Sequence, residues 1–183
     1  PISLGDRHLW FPLIKLYGTA YRSLSQPRTP VADVLAQKTG FCAYVMSNTK
    51  NSAPERVEIF DKLNAYQPVS SGGRWRNTTG GPVKDKIAFQ RTHKFAIAFE
   101  NHSHPGYLTE KFAEAAYADC VPIYWGDPRI AEYFNPQAFI NCHDFADLDA
   151  VAAHVAKVDQ DPWLYEAYLT APWFRDGIEP AQL

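Results

Sequence analysis

Residues 47–56 combine polar side chains with the signals that begin a helix, and this combination suits an anion. Ser52 and Glu55 have the spacing of a capping box, and Pro54 fits the first turn, where its missing N–H does no harm. The free N–H groups and the positive dipole end of such a helix favour phosphate. Arg56 adds a planar guanidinium that can contact a phosphate through two hydrogen bonds. The alternative is a well-capped helix with an exposed arginine.

A second polar cluster follows the apolar run of residues 94–100. That run carries no charge between its two ends, which predicts a strand buried on both faces. Asn101 and a Pro-Gly turn come next, and a helix is predicted to begin near residue 109. Ligands of open α/β sheets bind at the carboxyl ends of the strands. A helix dipole disfavours Lys111 in a first turn, so its charge requires an anion, either a ligand phosphate or Glu114 at the surface.

Histidines near two predicted strand ends raise the question of a metal site. His102 and His104 follow one strand, and His143 with Asp144 follows another. None of these residues has a spacing specific to a metal site. We therefore expect surface histidines and no metal, and a metal-dependent hydrolase is the weakest of the functional hypotheses.

A repeating pattern of strands and helices positions these residues from residue 41 onward. The predicted strands cover residues 41–46, 67–70, 94–100, 121–125 and 138–142. The predicted helices cover residues 55–66, 83–91, 108–119, 128–134, 147–158 and 161–170. Such alternation predicts βαβ units with right-handed crossovers. The predicted fold class is α/β, with a parallel sheet that carries helices on both faces.

Length and composition limit the classes of function. A chain of 183 residues can form one domain with a sizeable core. A net charge of −2 gives no electrostatic reason to expect nucleic acid or an anionic membrane as a partner. No apolar run approaches the roughly 20 residues of a membrane span. Three cysteines in apolar surroundings predict buried thiols and a cytoplasmic protein, with peripheral attachment to the inner membrane left open for a longer chain.

Three segments occur in the order and spacing typical of one enzyme family. They are Lys-Phe-Ala-Ile-Ala-Phe-Glu-Asn at 94–101, Tyr-Leu-Thr-Glu-Lys at 107–111 and Val-Pro-Ile-Tyr-Trp-Gly at 121–126. They resemble the donor-binding region of the α1,3-fucosyltransferases of glycosyltransferase family ten. Shorter matches extend the resemblance over about residues 40–170. The chain resembles the bacterial members more than the animal ones, because it lacks a disulfide-rich tail.

The resemblance implies a Rossmann-like domain that is one half of a GT-B type glycosyltransferase. Such an enzyme transfers L-fucose from GDP-fucose to an N-acetylglucosamine or glucose hydroxyl, with inversion of the anomeric centre. It needs no metal or other cofactor. The implied acceptor is an oligosaccharide of the N-acetyllactosamine type, as in Lewis antigen synthesis.

The resemblance also implies a role for each matching residue. Arg56 and Lys111 would hold the pyrophosphate and offset the charge of the leaving group. Asn101 and Glu110 would bind sugar hydroxyls, and Glu110 would also steady the developing oxocarbenium charge. Tyr107 would line the nucleotide pocket. The implied donor-binding set is completed by Ser47, Asn48 and Arg76.

The same resemblance suggests three parts of the chain. Residues 1–40 are interpreted as an arm left from an N-terminal acceptor domain, 41–175 as the GDP-fucose-binding domain and 176–183 as a tail. The family's carboxylate base lies in the acceptor domain, and neither Asp6 nor Asp33 sits in a recognisable base motif. Since the chain begins at a proline, we expect a processed or excised fragment that binds donor but transfers fucose poorly. A non-catalytic nucleotide-sugar-binding module is the alternative.

Overall fold

A computed structural model describes residues 13–16, 18–48 and 50–174. Within them a five-stranded, all-parallel sheet has the order β2-β1-β3-β4-β5. The strands are β1 Gly40–Tyr44, β2 Val69–Ser71, β3 His93–Phe99, β4 Val121–Trp125 and β5 Ile140–Asn141. The α-helices are α1 Gly18–Ser23, α2 Val31–Gln37, α3 Glu55–Tyr66, α4 Lys86–Arg91, α5 Glu110–Tyr117, α6 Ile130–Tyr133, α7 Leu148–Gln160 and α8 Pro162–Thr170. Single 3₁₀ turns cover Leu13–Leu16 and Cys142–Asp144. The predicted α/β class with a parallel sheet is confirmed.

The central strand β3 shows why the sheet is covered on both faces. Phe95, Ile97 and Phe99 point into one apolar cluster, together with side chains from α3, α7 and α8. Ala96 and Ala98 point to the other face, where α5 packs directly against β3 and β4. Small alanines let that helix approach closely, while each buried phenylalanine contributes roughly 1.5–3 kcal/mol by leaving water. The alternation of large and small residues along β3 therefore sets how closely the helices on each face approach the sheet.

The predicted element boundaries are correct to within a few residues. The helix at 55–66 and the strand at 121–125 have the predicted limits. The N-cap residue of α3 is Pro54, which makes no side-chain cap hydrogen bond. Thr109 occupies the N-cap position of α5, also without a side-chain cap. Its hydroxyl instead donates to the carboxylate of Glu100, which directly follows β3.

The arm at residues 1–40, for which no helix or strand was predicted, is largely helical where the structure describes it. It contains one 3₁₀ turn, α1 and α2, and Ile14 and Tyr21 belong to the same core cluster as α5. Arg28 donates to the carbonyl oxygen of Ala171 at 2.8 Å and lies 3.9 Å from the ring centre of Trp173. The arm thus packs on the domain. Asp6 and the tail at 176–183 lie outside the described residues, and the three-part division of the chain stays a prediction.

The strand order places a switch point between β1 and β3. The chain leaves β1 toward β2 on one side, and returns through α4 to β3 on the other side. The loops at 45–54 and 100–109 therefore leave neighbouring strand ends in opposite directions, which opens a crevice where doubly wound sheets bind ligands. In the described part of the chain, no helix is long and apolar enough to cross a membrane.

Candidate functional site

Arg56 and Asn101 meet across the crevice between β1 and β3. Arg56 is in the first turn of α3 and only 5% exposed. Its Nη1 donates to Oδ1 of Asn101 at 2.7 Å, although 45 residues separate them. The backbone N–H of Ala53 also donates to the carbonyl oxygen of Asn101 at 2.8 Å. The alternative of an exposed arginine is wrong, because the guanidinium is buried and joins the loops that follow β1 and β3.

One N–H of the Arg56 guanidinium is left without a partner. Its Nε is buried without a hydrogen-bond partner, and no carboxylate pairs with it among the described residues. The hydroxyl of Tyr44 lies within its reach, and burial raises the pKa of Tyr44 to about 12 despite the opposing arginine charge. Glu55 likewise leaves Oε2 buried and unpartnered. Because buried polar groups are normally satisfied, the start of α3 offers a donor and an acceptor suited to a ligand.

A carboxylate at the end of β3 organises the start of α5. Glu100 is fully buried, and its Oε1 accepts from the backbone N–H of Thr109 at 2.7 Å. Its Oε2 accepts from the Thr109 hydroxyl at 2.7 Å and from Nζ of Lys111 at 2.8 Å. Nζ of Lys111 also lies 3.3 Å from Oε1 of Glu110. The alternative partner Glu114 is wrong, because its carboxylate pairs with Lys86 at 2.5 Å.

The charges of this cluster stabilise one another. Burial alone lowers the pKa of Lys111, but the carboxylates of Glu100 and Glu110 outweigh burial and raise that pKa above its ordinary value. Burial alone raises the pKa of Glu110, and Lys111 reverses this and lowers it. At neutral pH the ammonium and the Glu110 carboxylate are therefore both charged, at the mouth of the crevice.

The loop between Asn101 and α5 is fixed by residues that follow β4. The fully buried Asp127 accepts from the backbone N–H of Gly106 at 2.9 Å. Gly106 has a φ of 82°, in the left-handed region that a glycine enters without strain. The hydroxyl of Ser103 donates to the carbonyl oxygen of Gly126 at 2.6 Å. Tyr107 is held in this loop half-buried, with its ring 4.7 Å from that of His104.

Three of the predicted donor-binding residues lie at the rim. Ser47 is exposed and its hydroxyl accepts from the backbone N–H of Arg74 at 3.2 Å. Asn48 is exposed and accepts from the N–H of Lys50 at 2.8 Å. Arg76 pairs with Asp61, and its guanidinium lies 4.5 Å from the ring centre of Trp75. The contacts described here do not join these three to Arg56 or Lys111, and their roles stay predictions.

The histidines do not form a donor set for a metal. Within the described residues, no three histidine, cysteine, aspartate or glutamate side chains are grouped to hold an ion. Nε2 of His143 lies 3.3 Å from the backbone N of Gly126, and Asp144 accepts from the amide of Asn141 at 2.9 Å. These contacts give both side chains a structural role at the end of β5.

Residues 35–178 match the family model described as glycosyltransferase family 10 (fucosyltransferase) C-term. The chain belongs to this family. It is 43% identical over 118 residues to α-(1,3)-fucosyltransferase FucT of Helicobacter pylori, a match that covers 64% of this chain and 24% of that protein. It is 32% identical over 166 residues to α-(1,3)-fucosyltransferase 4 of Bos taurus, covering 89% and 41%. The resemblance inferred from the residues is confirmed, and the family 10 chain spans less than half of either relative.

Solved structures give the same assignment. An α1,3-fucosyltransferase crystallised with GDP-fucose superposes with a TM-score of 0.79 at 29% identity, over 97% of this chain and 64% of that one. A structure of an α1,3-fucosyltransferase with GDP superposes with a TM-score of 0.71 at 36% identity, over 78% and 44%. The fold is therefore that of one half of a GT-B type fucosyltransferase.

Sequence reasoning found Arg56, Asn101 and Lys111 but assigned nothing to Glu100 or Asp127. Each of these carboxylates directly follows, or comes two residues after, an apolar strand. A carboxylate at the end of a buried apolar strand is the signal in the sequence that could have identified them.

Proposed function

We propose that this chain is the GDP-fucose-binding domain of an inverting α1,3-fucosyltransferase. The observation that carries the proposal is the buried guanidinium of Arg56, which has no anionic partner among the described residues and keeps an unsatisfied Nε at the switch point. A pyrophosphate supplies the missing anion. The names of two structural neighbours, which contain GDP-fucose and GDP, support the same ligand.

The pyrophosphate would lie between the starts of α3 and α5. Arg56 approaches it from α3 as a planar donor, and Lys111 from α5 as a compact charge. The N–H groups of both helix ends add positive potential. In the transfer step an acceptor hydroxyl oxygen attacks the anomeric carbon, and the bond from that carbon to the β-phosphate oxygen breaks. The electron pair leaves with GDP, whose charge the two cations stabilise without a metal.

The sugar would lie beside Asn101 and Glu110. Oδ1 of Asn101 is occupied by Arg56, so its amide nitrogen is the atom that can donate to a hydroxyl. Glu110 is half-buried and ionised, which suits hydrogen bonds from fucose or ribose hydroxyls and the developing oxocarbenium charge. Tyr107 would line the nucleotide pocket, and Ser47, Asn48 and Arg76 would reach the donor from the rim.

The acceptor proton requires a base that we place outside this domain. In an inverting displacement a carboxylate on the face opposite the leaving group removes that proton. We infer that this base and the site for an N-acetyllactosamine-like acceptor belong to a preceding domain, of which residues 1–40 are the end. This chain would therefore bind donor and transfer fucose slowly. Fucosyl transfer by the 183 residues alone, at rates typical of the family, would contradict this part of the proposal.

A cytoplasmic location is also part of the proposal. The three cysteines are free and buried, which is typical of proteins in reducing compartments. Fractionation of cells that produce the protein tests this location directly, and recovery with the membranes would instead support peripheral attachment.

Calorimetric titration with GDP, GDP-fucose and UDP tests the proposed donor site. We expect guanine-selective binding by the unmodified chain and at least a tenfold loss in Lys111→Ala, because a charge-assisted contact to phosphate contributes about 1.5–3 kcal/mol. Lys62→Ala is the matched control, since Lys62 pairs with Glu58 and Asp149 at the surface of α3. Equal affinity in the Lys111 variant would refute the assignment.

A further inference from the structure

Glu100 and Asp127 are fully buried carboxylates of the described site without a role in the proposed chemistry, and Glu100 is the one that contacts Lys111. It is fully inaccessible, so it reaches neither donor nor acceptor. Nevertheless both its oxygens are engaged: one by the backbone N–H of Thr109, the other by Nζ of Lys111, and both by the Thr109 hydroxyl. A charge removed from water is costly unless it is paired and hydrogen-bonded, and here it has a full set of donors.

These contacts fix the two features of α5 that face the crevice. The hydrogen bond from the backbone N–H of Thr109 to Glu100 fixes the N-cap residue of α5, which makes no side-chain cap hydrogen bond of its own. The bond to Nζ holds a side chain that otherwise loses much rotamer freedom when a ligand orders it. Nζ also donates to the Thr109 hydroxyl at 2.9 Å, so the ammonium is held on two sides. The lysine is therefore ordered before any ligand arrives.

We propose that Glu100 is a positioning residue, which holds the Lys111 ammonium and the start of α5 in the geometry that receives the donor pyrophosphate. The inference rests on the proposed contact between Lys111 and the pyrophosphate. Glu100 acts only through Lys111 and touches no reacting atom. Fixing a charged group before the reaction is the main way that a site stabilises a leaving group without reorganisation.

The charges around Lys111 give this role a signature in pH. Glu100 faces the ammonium from β3, and Glu110 from its own helix. On the other side of Glu110, Lys86 of α4 is paired with Glu114 of α5. Tyr124 of β4 interacts with Glu100, and its hydroxyl stays protonated because burial raises its pKa well above the ordinary value. Removing the Glu100 charge therefore leaves Lys111 with one carboxylate, and its pKa falls.

The test compares GDP dissociation constants between pH 6.5 and 9.5 for the unmodified chain, Glu100→Gln, Glu100→Asp and Glu58→Gln. The ratio of variant to unmodified constants cancels any titration of the nucleotide itself. For Glu100→Gln we expect about a tenfold weaker affinity at pH 7, by analogy with partners that orient metal ligands, and a ratio that rises further toward pH 9.5. Glu100→Asp keeps the charge, so its ratio should stay constant with pH. Glu58→Gln, which removes an exposed carboxylate of α3 that pairs with Lys62, should behave as the unmodified chain.

A ratio for Glu100→Gln that does not change with pH would overturn the inference, and so would a Glu100→Asp profile that follows the glutamine one. If Glu100→Gln does not fold, the ¹³C chemical shift of the Lys111 ε-carbon in the unmodified chain and in Glu100→Asp replaces it. That shift should titrate above the ordinary lysine pKa in the unmodified chain, and an ordinary pKa there would refute the role. Failure of the proposed function is distinct, because Lys111→Ala would then leave GDP binding unchanged.

Discussion

Replacing Gly126 by alanine should disturb both the fold and the donor site. A Cβ on Gly126 would lie 2.5 Å from Cγ of Glu100 and 2.5 Å from the hydroxyl oxygen of Tyr124. Both neighbours are fully buried, so neither can move into solvent. The backbone of Gly126 is not in the positive-φ region, which makes the effect one of space and not of backbone strain.

The size of the effect follows from two opposing contributions. Overpacking a tight site costs about 1–3 kcal/mol, while the alanine restricts the unfolded chain and returns about 0.4–1 kcal/mol. The net loss in the free energy of unfolding is about 1.3 kcal/mol, which for a chain of this size lowers Tm by about 3–5 °C. Since the methyl group displaces Glu100, the affinity for GDP should fall as well.

Calorimetry measures both effects on one preparation. Gly18→Ala is the control, because a Cβ there meets only the flexible guanidinium of Arg22, with Nη2 at 3.4 Å and Cζ at 3.8 Å, and Gly18 is in helix α1. This change should leave GDP affinity unaltered and keep or raise Tm. An unchanged Tm together with unchanged GDP affinity in Gly126→Ala would refute the close packing described at the end of β4.

Three further predictions concern the loop anchor, the thiols and the histidines. Asp127→Ala removes the acceptor for the backbone N–H groups of Gly106 and Arg129, and should lower the free energy of unfolding by about 2 kcal/mol in urea titration; a loss no larger than that of Asp127→Asn would contradict this anchor. Burial raises the pKa of Cys42, Cys120 and Cys142, that of Cys120 to about 12, so a disulfide reagent at pH 8 should modify none of them in the folded chain and all three in denaturant. Burial lowers the pKa of three partly or largely buried histidines, namely His93, His143 and His154. The unfolded chain therefore takes up protons below about pH 6.5 that the folded chain does not, so the urea midpoint should be lower at pH 5.5 than at pH 7.5. Equal midpoints at the two pH values would exclude this effect.

Local pattern was enough to predict the elements but not their long-range contacts. The helix at 55–66 and the strand at 121–125 have the predicted limits, because apolar period and flanking breakers specify them. No helix was predicted in the arm because its helices are short and are stabilised by packing, α1 on α5 and α2 on α8, which no local period reveals.

The candidate site shows the same limit. Its residues could be named from motifs, whereas their partners could not. Sequence spacing offered Glu114, three positions along the helix, as the partner of Lys111. The structure gives that role to Glu100, eleven residues away and fully buried, where less solvent screening strengthens the pairing. Arg56 likewise donates to Asn101, 45 residues further along the chain.

A crystal structure of this chain with GDP tests the central claim most directly. The account predicts the pyrophosphate in the crevice between β1 and β3, with its oxygens within hydrogen-bonding distance of the Arg56 guanidinium and of Nζ of Lys111. It also predicts that Glu100 keeps its contact with Lys111 in the complex. GDP bound elsewhere, such as the surface cavity lined by Gln37, Asp85 and Arg91, with Arg56 unchanged, would contradict the account.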